Sequence, residues 1–150
     1  SGKELDIPET VQGHVVTRVA PFAFSRQRQI TAVSIPDTGD SIGQEAFYIC
    51  PSLQQLKLPA RLKIIGKNAF NYCRALKSVI VPTGTIHIDR HAFYDCTALK
   101  TISIPDTVGF MGEKVFGADG DAKVECTIVC RQDSYVERYA KENGILCSFV

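Results

Sequence analysis

Ile65-Gly66-Lys67-Asn68-Ala69-Phe70-Asn71-Tyr72-Cys73-Arg74-Ala75-Leu76-Lys77-Ser78-Val79-Ile80-Val81-Pro82 is the fullest copy of a motif that this chain writes again and again. Its phenylalanine recurs at Phe24, Phe47, Phe70, Phe93 and Phe116, always 23 residues apart. Its cysteine recurs at Cys50, Cys73 and Cys96, with Gln27 in the first copy. Four further apolar columns keep the same period: Val19, Ile42, Ile65, Ile88 and Met111; Ile30, Leu53, Leu76 and Leu99; Val33, Leu56, Val79 and Ile102; Ile35, Leu58, Val81 and Ile104. The last two columns alternate with polar residues, as in Leu56-Lys57-Leu58, which predicts a short strand. Proline follows at Pro36, Pro59, Pro82 and Pro105 and stops the strand by removing a ladder donor.

One copy alone buries too little apolar surface to offset ordering its backbone, and its strand has no partner. Stacked copies set strand beside strand, ~4.8 Å apart, and join the columns into continuous ladders. The expectation is therefore a solenoid whose axis runs along a phenylalanine spine. Gly43, Gly66 and Gly112 follow the first apolar column and suit a turn with positive φ; Asp89 and Ala20 replace glycine in two coils.

Working outward, residues 1–150 are expected to form one domain. Residues 3–22 form a modified opening coil, with Ile7-Pro8 matching the strand ending and Gln12-Gly13-His14 a turn signal. Residues 23–116 hold the regular repeats, and 117–150 break the period. In that last segment Val124 to Ile128 alternates like a final strand. Ser134 and Glu137 make a capping box, which predicts a helix over about 134–143 ended by Gly144. Tyr135, Val136, Tyr139 and Ala140 share one face of it. Ile145 to Val150 reads as a closing strand, so the segment is a lid over the open coil.

Composition is that of an ordinary folded domain: 150 residues, 45% hydrophobic, 22% charged and a net charge of +1. That balance gives no general attraction to nucleic acid, and no apolar run approaches the ~20 residues of a membrane span. No secretory leader is legible, and Ser1-Gly2 reads as a cleavage scar, so a piece of a longer chain is expected.

At this point the residues resemble a known family. Ile-Gly-x-x-Ala-Phe-x-x-Cys-x-x-Leu-x-x-Ile-x-Ile-Pro is similar to the repeat of BspA-like leucine-rich repeat proteins, and the resemblance covers about residues 5–147. It implies a leucine-rich-repeat solenoid, a right-handed superhelix with short parallel strands on one face and one C-terminal capping helix. It also implies a bacterial or protist protein, secreted or on the cell surface, that mediates adhesion. No catalytic residue and no cofactor come with the family. Gln27 for Cys, Asp89 for Gly and the shortened fifth copy depart from the pattern.

Most repeated letters read as core, namely the five phenylalanines with Cys50, Cys73 and Cys96, whose thiols act as small hydrophobes. Cys126 or Cys130 with Cys147 is a candidate disulfide for the lid, set against three free thiols. His87 and His91 have i, i+4 spacing, which gathers a metal only on a helix, and Asp119 and Asp121 lack the other ligands of a calcium loop; no metal is expected. No nucleophile elbow, phosphate loop or zinc signature is present, so an enzyme is not expected.

Any function must then lie in the variable letters. The outward strand positions Ala32, Ser34, Gln55, Lys57, Ser78, Ile80, Thr101 and Ser103 form a sheet face, which is either the ligand surface or a face that merely keeps the domain soluble. No acid lies between Glu45 and Asp89, whereas Lys57, Arg61, Lys63, Lys67, Arg74 and Lys77 do. They make a basic patch only if the coil brings them to one side. Tyr48, Tyr72 and Tyr94 either cover the spine or serve as binding aromatics. The leading expectation is a non-catalytic module that binds an extracellular protein or glycan, not nucleic acid. The alternatives are a structural spacer and an anionic-glycan module using the basic middle coils. Self-association at an imperfectly capped end is open.

Overall fold

The computed structural model describes residues 2–120 and 124–150; Ser1 and Asp121, named above, lie outside them. The chain winds as a solenoid of short parallel strands with one helix near its C-terminus. Each of the first five coils contributes a strand to a front sheet and another to a back sheet, and the last two front strands have no back-sheet counterpart among the described residues. Front strands are Lys3–Asp6, Ile30–Ser34, Gln55–Lys57, Ser78–Ile80, Thr101–Ser103, Thr127–Cys130 and Leu146–Phe149. Back strands are Arg18–Val19, Ser41–Ile42, Ile64–Ile65, His87–Ile88 and Phe110–Met111. The 23-residue period appears directly as register: Val33 pairs with Leu56, Val79 with Ile102, Ile42 with Ile65.

Between the sheets runs the phenylalanine spine. Successive rings from Phe24 to Phe116 stack with centroids 5.3–6.0 Å apart. Phe47, Phe70, Phe93 and Phe116 are buried, but Phe24 is half-buried and Gln27 is exposed. Both sit at the open end of the stack, because the opening segment lays neither a ring nor a thiol beneath them. Cys50, Cys73 and Cys96 are buried, and each thiol donates to the spine carbonyl of the preceding coil, Phe24, Phe47 and Phe70, at 3.1–3.3 Å. That bond consumes the only polar group of an otherwise apolar column.

The glycines work differently from the sequence expectation. Gly43, Gly66 and Gly112 do not have positive φ. They are glycines because coils touch there. A Cβ on Gly66 would meet Gln44 N at 2.8 Å, and one on Gly112 would meet Arg90 N at 2.4 Å. The positive-φ sites are instead two columns of larger residues. One is Phe22, Glu45, Asn68, His91 and Lys114; the other is Arg26, Ile49, Tyr72 and Asp95. Such backbone is costly for L-residues. Here it turns each N–H along the stack axis: Asn68 donates to Arg90 O, Tyr72 to Tyr94 O and Asp95 to Gly117 O, at 2.7–3.0 Å. The bond between coils offsets the strain.

At the C-terminus the sequence places the strands imperfectly. The sheet residues are Thr127–Cys130 rather than Val124 to Ile128, since the preceding loop is longer than the repeat: Ile102 pairs with Val79, 23 back, and with Ile128, 26 on. Helix α1, Tyr135–Glu142, falls where the capping box predicts. Ser134 Oγ accepts from Glu137 N at 3.2 Å, and Glu137 accepts from Asp133 N at 2.6 Å. The Lys141 ammonium, then the Asp133 amide, hold the Glu137 carboxyl below its usual range. α1 lays two tyrosines on the last back strand. The Tyr135 hydroxyl accepts from Met111 N at 2.9 Å, and the Tyr139 hydroxyl accepts from Val115 N at 3.2 Å and donates to Gly112 O at 2.8 Å. Two hydroxyls thus take the place of a missing strand.

One break interrupts the regularity. The front sheet divides between Gln55–Lys57 and Ser78–Ile80, whereas the back sheet and the spine run through these coils unbroken. Around it, Gln54 N donates to Thr31 O and Lys100 N to Lys77 O, and Ile35 N donates to Lys57 O and Val81 N to Ser103 O. The two equivalent bonds at the break, Lys77 N to Gln54 O and Leu58 N to Ile80 O, are not made.

Candidate ligand surface

The pleat sends alternate residues of the front strands inward and outward. Outward lie Ala32 and Ser34, Gln55 and Lys57, Ser78 and Ile80, Thr101 and Ser103, side by side in successive coils. Gln55, Lys57, Ser78, Ile80 and Thr101 are exposed, and Ile80 retains 76% of its accessible surface. The first strand extends this face with Glu4 opposite Ala32 and Asp6 opposite Ser34. The eight outward positions read from sequence omit that pair. Its signal is legible, for Leu5-Asp6-Ile7-Pro8 repeats the strand-and-proline ending.

The structure disperses the basic residues. Lys57 lies on the front face and Lys77 just before its next strand, both exposed. Arg61 and Lys63 occupy the turn that leads to the back sheet, where the Lys63 ammonium donates to Gly84 O at 3.5 Å. Lys67 is on the turn beyond the back sheet, close enough to His91 to disfavour its protonation. Arg74 is committed elsewhere. Its guanidinium pairs with the buried Asp95 at 2.8 Å and stacks on the Tyr72 ring at 3.9 Å. Only Lys57 and Lys77 therefore flank the front face together.

Two clefts mark that face. One, about 360 Å³, is lined by Glu4, Asp6, Ala32, Ser34, Gln55 and Lys57 among others. The other, about 440 Å³, lies over the break and is lined by Gln54, Gln55, Leu56, Lys57, Leu58, Ser78, Ile80 and Pro82. Leu56, an inward residue, is half-buried there, whereas Val33, Val79 and Ile102 in its column are buried. A third cavity, about 190 Å³ and mostly apolar, is lined by Phe93, Cys96, Leu99, Phe116, Val124 and Cys126 among others.

Titrating groups elsewhere behave as core or surface. His87 stacks on Phe110 at 4.5 Å and His91 tilts over Tyr94 at 4.7 Å, so the two face different neighbours. Tyr94 donates to Asp119 at 3.2 Å. Tyr48, Tyr72 and Tyr94 are each half-buried. Burial pushes the Cys96 and Cys126 thiols up to about 12 and Cys130 to about 11, which suppresses thiolate chemistry. All six cysteines stand as free thiols in this structure; of the candidate pairs, Cys130 lies against Cys147, whereas Cys126 neighbours Cys96. Among the described residues no helix is long and apolar enough to cross a membrane.

Comparison with known proteins adds the following. A sequence profile of the BspA type leucine rich repeat region matches residues 3–124 in six copies. A leucine rich cell surface protein from Faecalibacterium prausnitzii A2-165 superimposes with a TM-score of 0.65 at 28% identity, over 79% of this chain and 32% of that one. A leucine-rich repeat protein from Bacteroides capillosus ATCC 29799 gives a TM-score of 0.59 at 32% identity, over 72% of this chain and 75% of that one. The pneumococcal vaccine antigen PcpA, at 22% identity and a TM-score of 0.56, shares the fold. This chain thus spans about a third of the Faecalibacterium protein. No curated protein matches it.

Proposed function

The chain belongs to the BspA type leucine-rich repeat family, and from that premise we propose that it is a non-catalytic binding module of a secreted or cell-surface protein. Its partner is an extracellular protein or glycan of a host or neighbouring cell, and it binds on the front face. The observation that carries this reading is the open row Ser34, Gln55, Lys57, Ser78, Ile80, Thr101 and Ser103. It spans four coils, two on each side of the break in the front sheet, and includes an isoleucine with 76% of its surface in water. An exposed large aliphatic beside a lysine and short polar residues supplies both a contact of high surface energy and hydrogen-bond partners. The surface description attached to the Faecalibacterium protein supports the location.

A screen of the domain against matrix proteins and glycans tests the proposal. Capture of at least one ligand, lost when Lys57, Ile80 and Thr101 are all replaced by alanine, is the expected outcome. Capture that survives the triple substitution places the surface elsewhere, and an empty screen favours a spacer. Salt separates the glycan alternative, because electrostatic capture weakens steeply as the Debye length contracts.

A further inference from the structure

Leu56 and Leu58 stand where the neighbouring coils carry Val33 and Ile35, Val79 and Val81, Ile102 and Ile104. Three coils present a β-branched pair, stiff at χ1 and fitted to a pleated surface. Leu56 and Leu58 carry their branch one bond further out, as does Leu5 in the opening strand, where the ladder to Val33 is closed. The coil of Leu56 and Leu58 is also the one at which the front sheet parts. The coils are not apart throughout: behind the break, Phe47 N donates to Ala69 O at 2.8 Å and Gly66 N to Ile42 O at 2.8 Å. The opening is thus a wedge, hinged at the back sheet and spine and open toward the ligand face.

The wedge exposes unused backbone in the middle of a sheet. Lys77 N and Leu58 N have no inter-coil acceptor, and Gln54 O and Ile80 O no inter-coil donor. Leu56 and Ile80 supply apolar walls, Lys57 lines the cleft, and the exposed Lys77 immediately precedes the strand on its far side. The two coils that form the break are themselves cationic, since no acid occurs from Ala46 to Ile88; Glu4 and Asp6 line the neighbouring cleft, which Lys57 also borders. Alternating backbone donors and acceptors match another peptide backbone, and Lys57 and Lys77, which no salt bridge among the described residues engages, favour carboxylates. A glycan would meet the charge but would leave the strand-spaced amide groups unmatched.

We propose that the break between Gln55–Lys57 and Ser78–Ile80 is the docking cleft for an extended acidic peptide with alternating apolar residues. This deepens the front-face reading and rests on it. The peptide backbone bonds to the groups of Leu58 and Lys77, its apolar residues cover Leu56 and Ile80, and its carboxylates meet Lys57 and Lys77.

The test begins with hydrogen exchange of the free domain. The Leu58 and Lys77 amides should exchange far faster than Ile35, Val81 and Lys100, which are bonded. Equal protection means that the sheet is closed and ends the proposal. Next, a blocked octapeptide of alternating Glu and Val is titrated in. Its binding should slow exchange at Leu58 and Lys77. Absence of binding at millimolar peptide overturns the inference. A Leu56→Val, Leu58→Ile variant, checked for an unchanged circular dichroism spectrum, should protect the two amides in the free state and lose about tenfold or more in affinity. A Lys57→Gln, Lys77→Gln variant should lose affinity by a similar factor while leaving the cleft open and the two amides fast-exchanging in the free state. Equal binding of an alternating Lys-Val octapeptide, or of oligogalacturonate, overturns the assigned ligand chemistry. If the alanine triple variant loses a screened ligand while the Leu56→Val, Leu58→Ile variant keeps it, the face reading stands and the cleft falls.

Discussion

At the scale of single residues, identical letters in the repeat serve unlike needs. Gly66 is required by the backbone of the coil beneath it, with Gly43 C and Gln44 N both 2.8 Å from its missing Cβ. Gly66→Ala should therefore cost about 1–3 kcal/mol through overpacking. Gly109→Ala meets nothing within 4 Å and should be close to neutral. Urea unfolding of both variants checks the contrast. His91 shows a second kind of constraint. It occupies a positive-φ site at +57°, half-buried. Burial first, then Arg90, with Lys114 and Lys67 adding to it against Glu113, lower its pKa below the usual histidine value. The unfolded chain then binds the more protons just below pH 6.5, so stability falls as pH drops through that window. His91→Asn keeps a residue that tolerates the left-handed region and should flatten this part of the stability–pH profile, measured by chemical denaturation between pH 7.5 and 5.

At the scale of elements, the helix and the last strand close the stack by different means. α1 has eight residues, too few to be stable alone in water. It persists because Val136, Tyr139 and Ala140 are buried and because two tyrosine hydroxyls bond the last back strand. Tyr139→Phe leaves Val115 N and Gly112 O without partners in a buried place, so a loss of about 1–3 kcal/mol is expected. Tyr135 is half-buried, so water can replace its hydroxyl, and Tyr135→Phe should cost less. Thermal unfolding of the pair measures the difference. Four of the front strands are followed on schedule by proline, yet two of those strands, Gln55–Lys57 and Ser78–Ile80, do not pair.

At the scale of the whole molecule, each coil leans on its neighbours, so the ends matter more than in a globular domain. The N-terminal edge strand carries Lys3, Glu4 and Asp6, charges that discourage edge pairing. The C-terminal end depends on the lid. Ending the chain at Cys130 removes α1 and the Leu146–Phe149 strand and bares the Thr127–Cys130 edge. That truncation should lower the melting temperature and produce concentration-dependent association, visible by light scattering, at protein concentrations where the full chain stays dispersed.

By itself the sequence determined the solenoid, its period, the buried columns and the capping helix, because each follows from local spacing and near-neighbour chemistry that recurs every 23 residues. The phenylalanine and cysteine columns and the Ser134 cap are legible for that reason. Only the tertiary structure decided which turn residues take positive φ, because Asn68, Tyr72 and His91 adopt it to reach a carbonyl one coil away. Only it showed that Arg74 is spent on the buried Asp95, a partner 21 residues distant, and that the last front strand is shifted by a longer loop. The open wedge belongs to the same class. Leu56 and Leu58 can be read in the chain, but whether a ladder closes is settled by how two neighbouring coils pack, and no single copy of the repeat contains both sides of that contact.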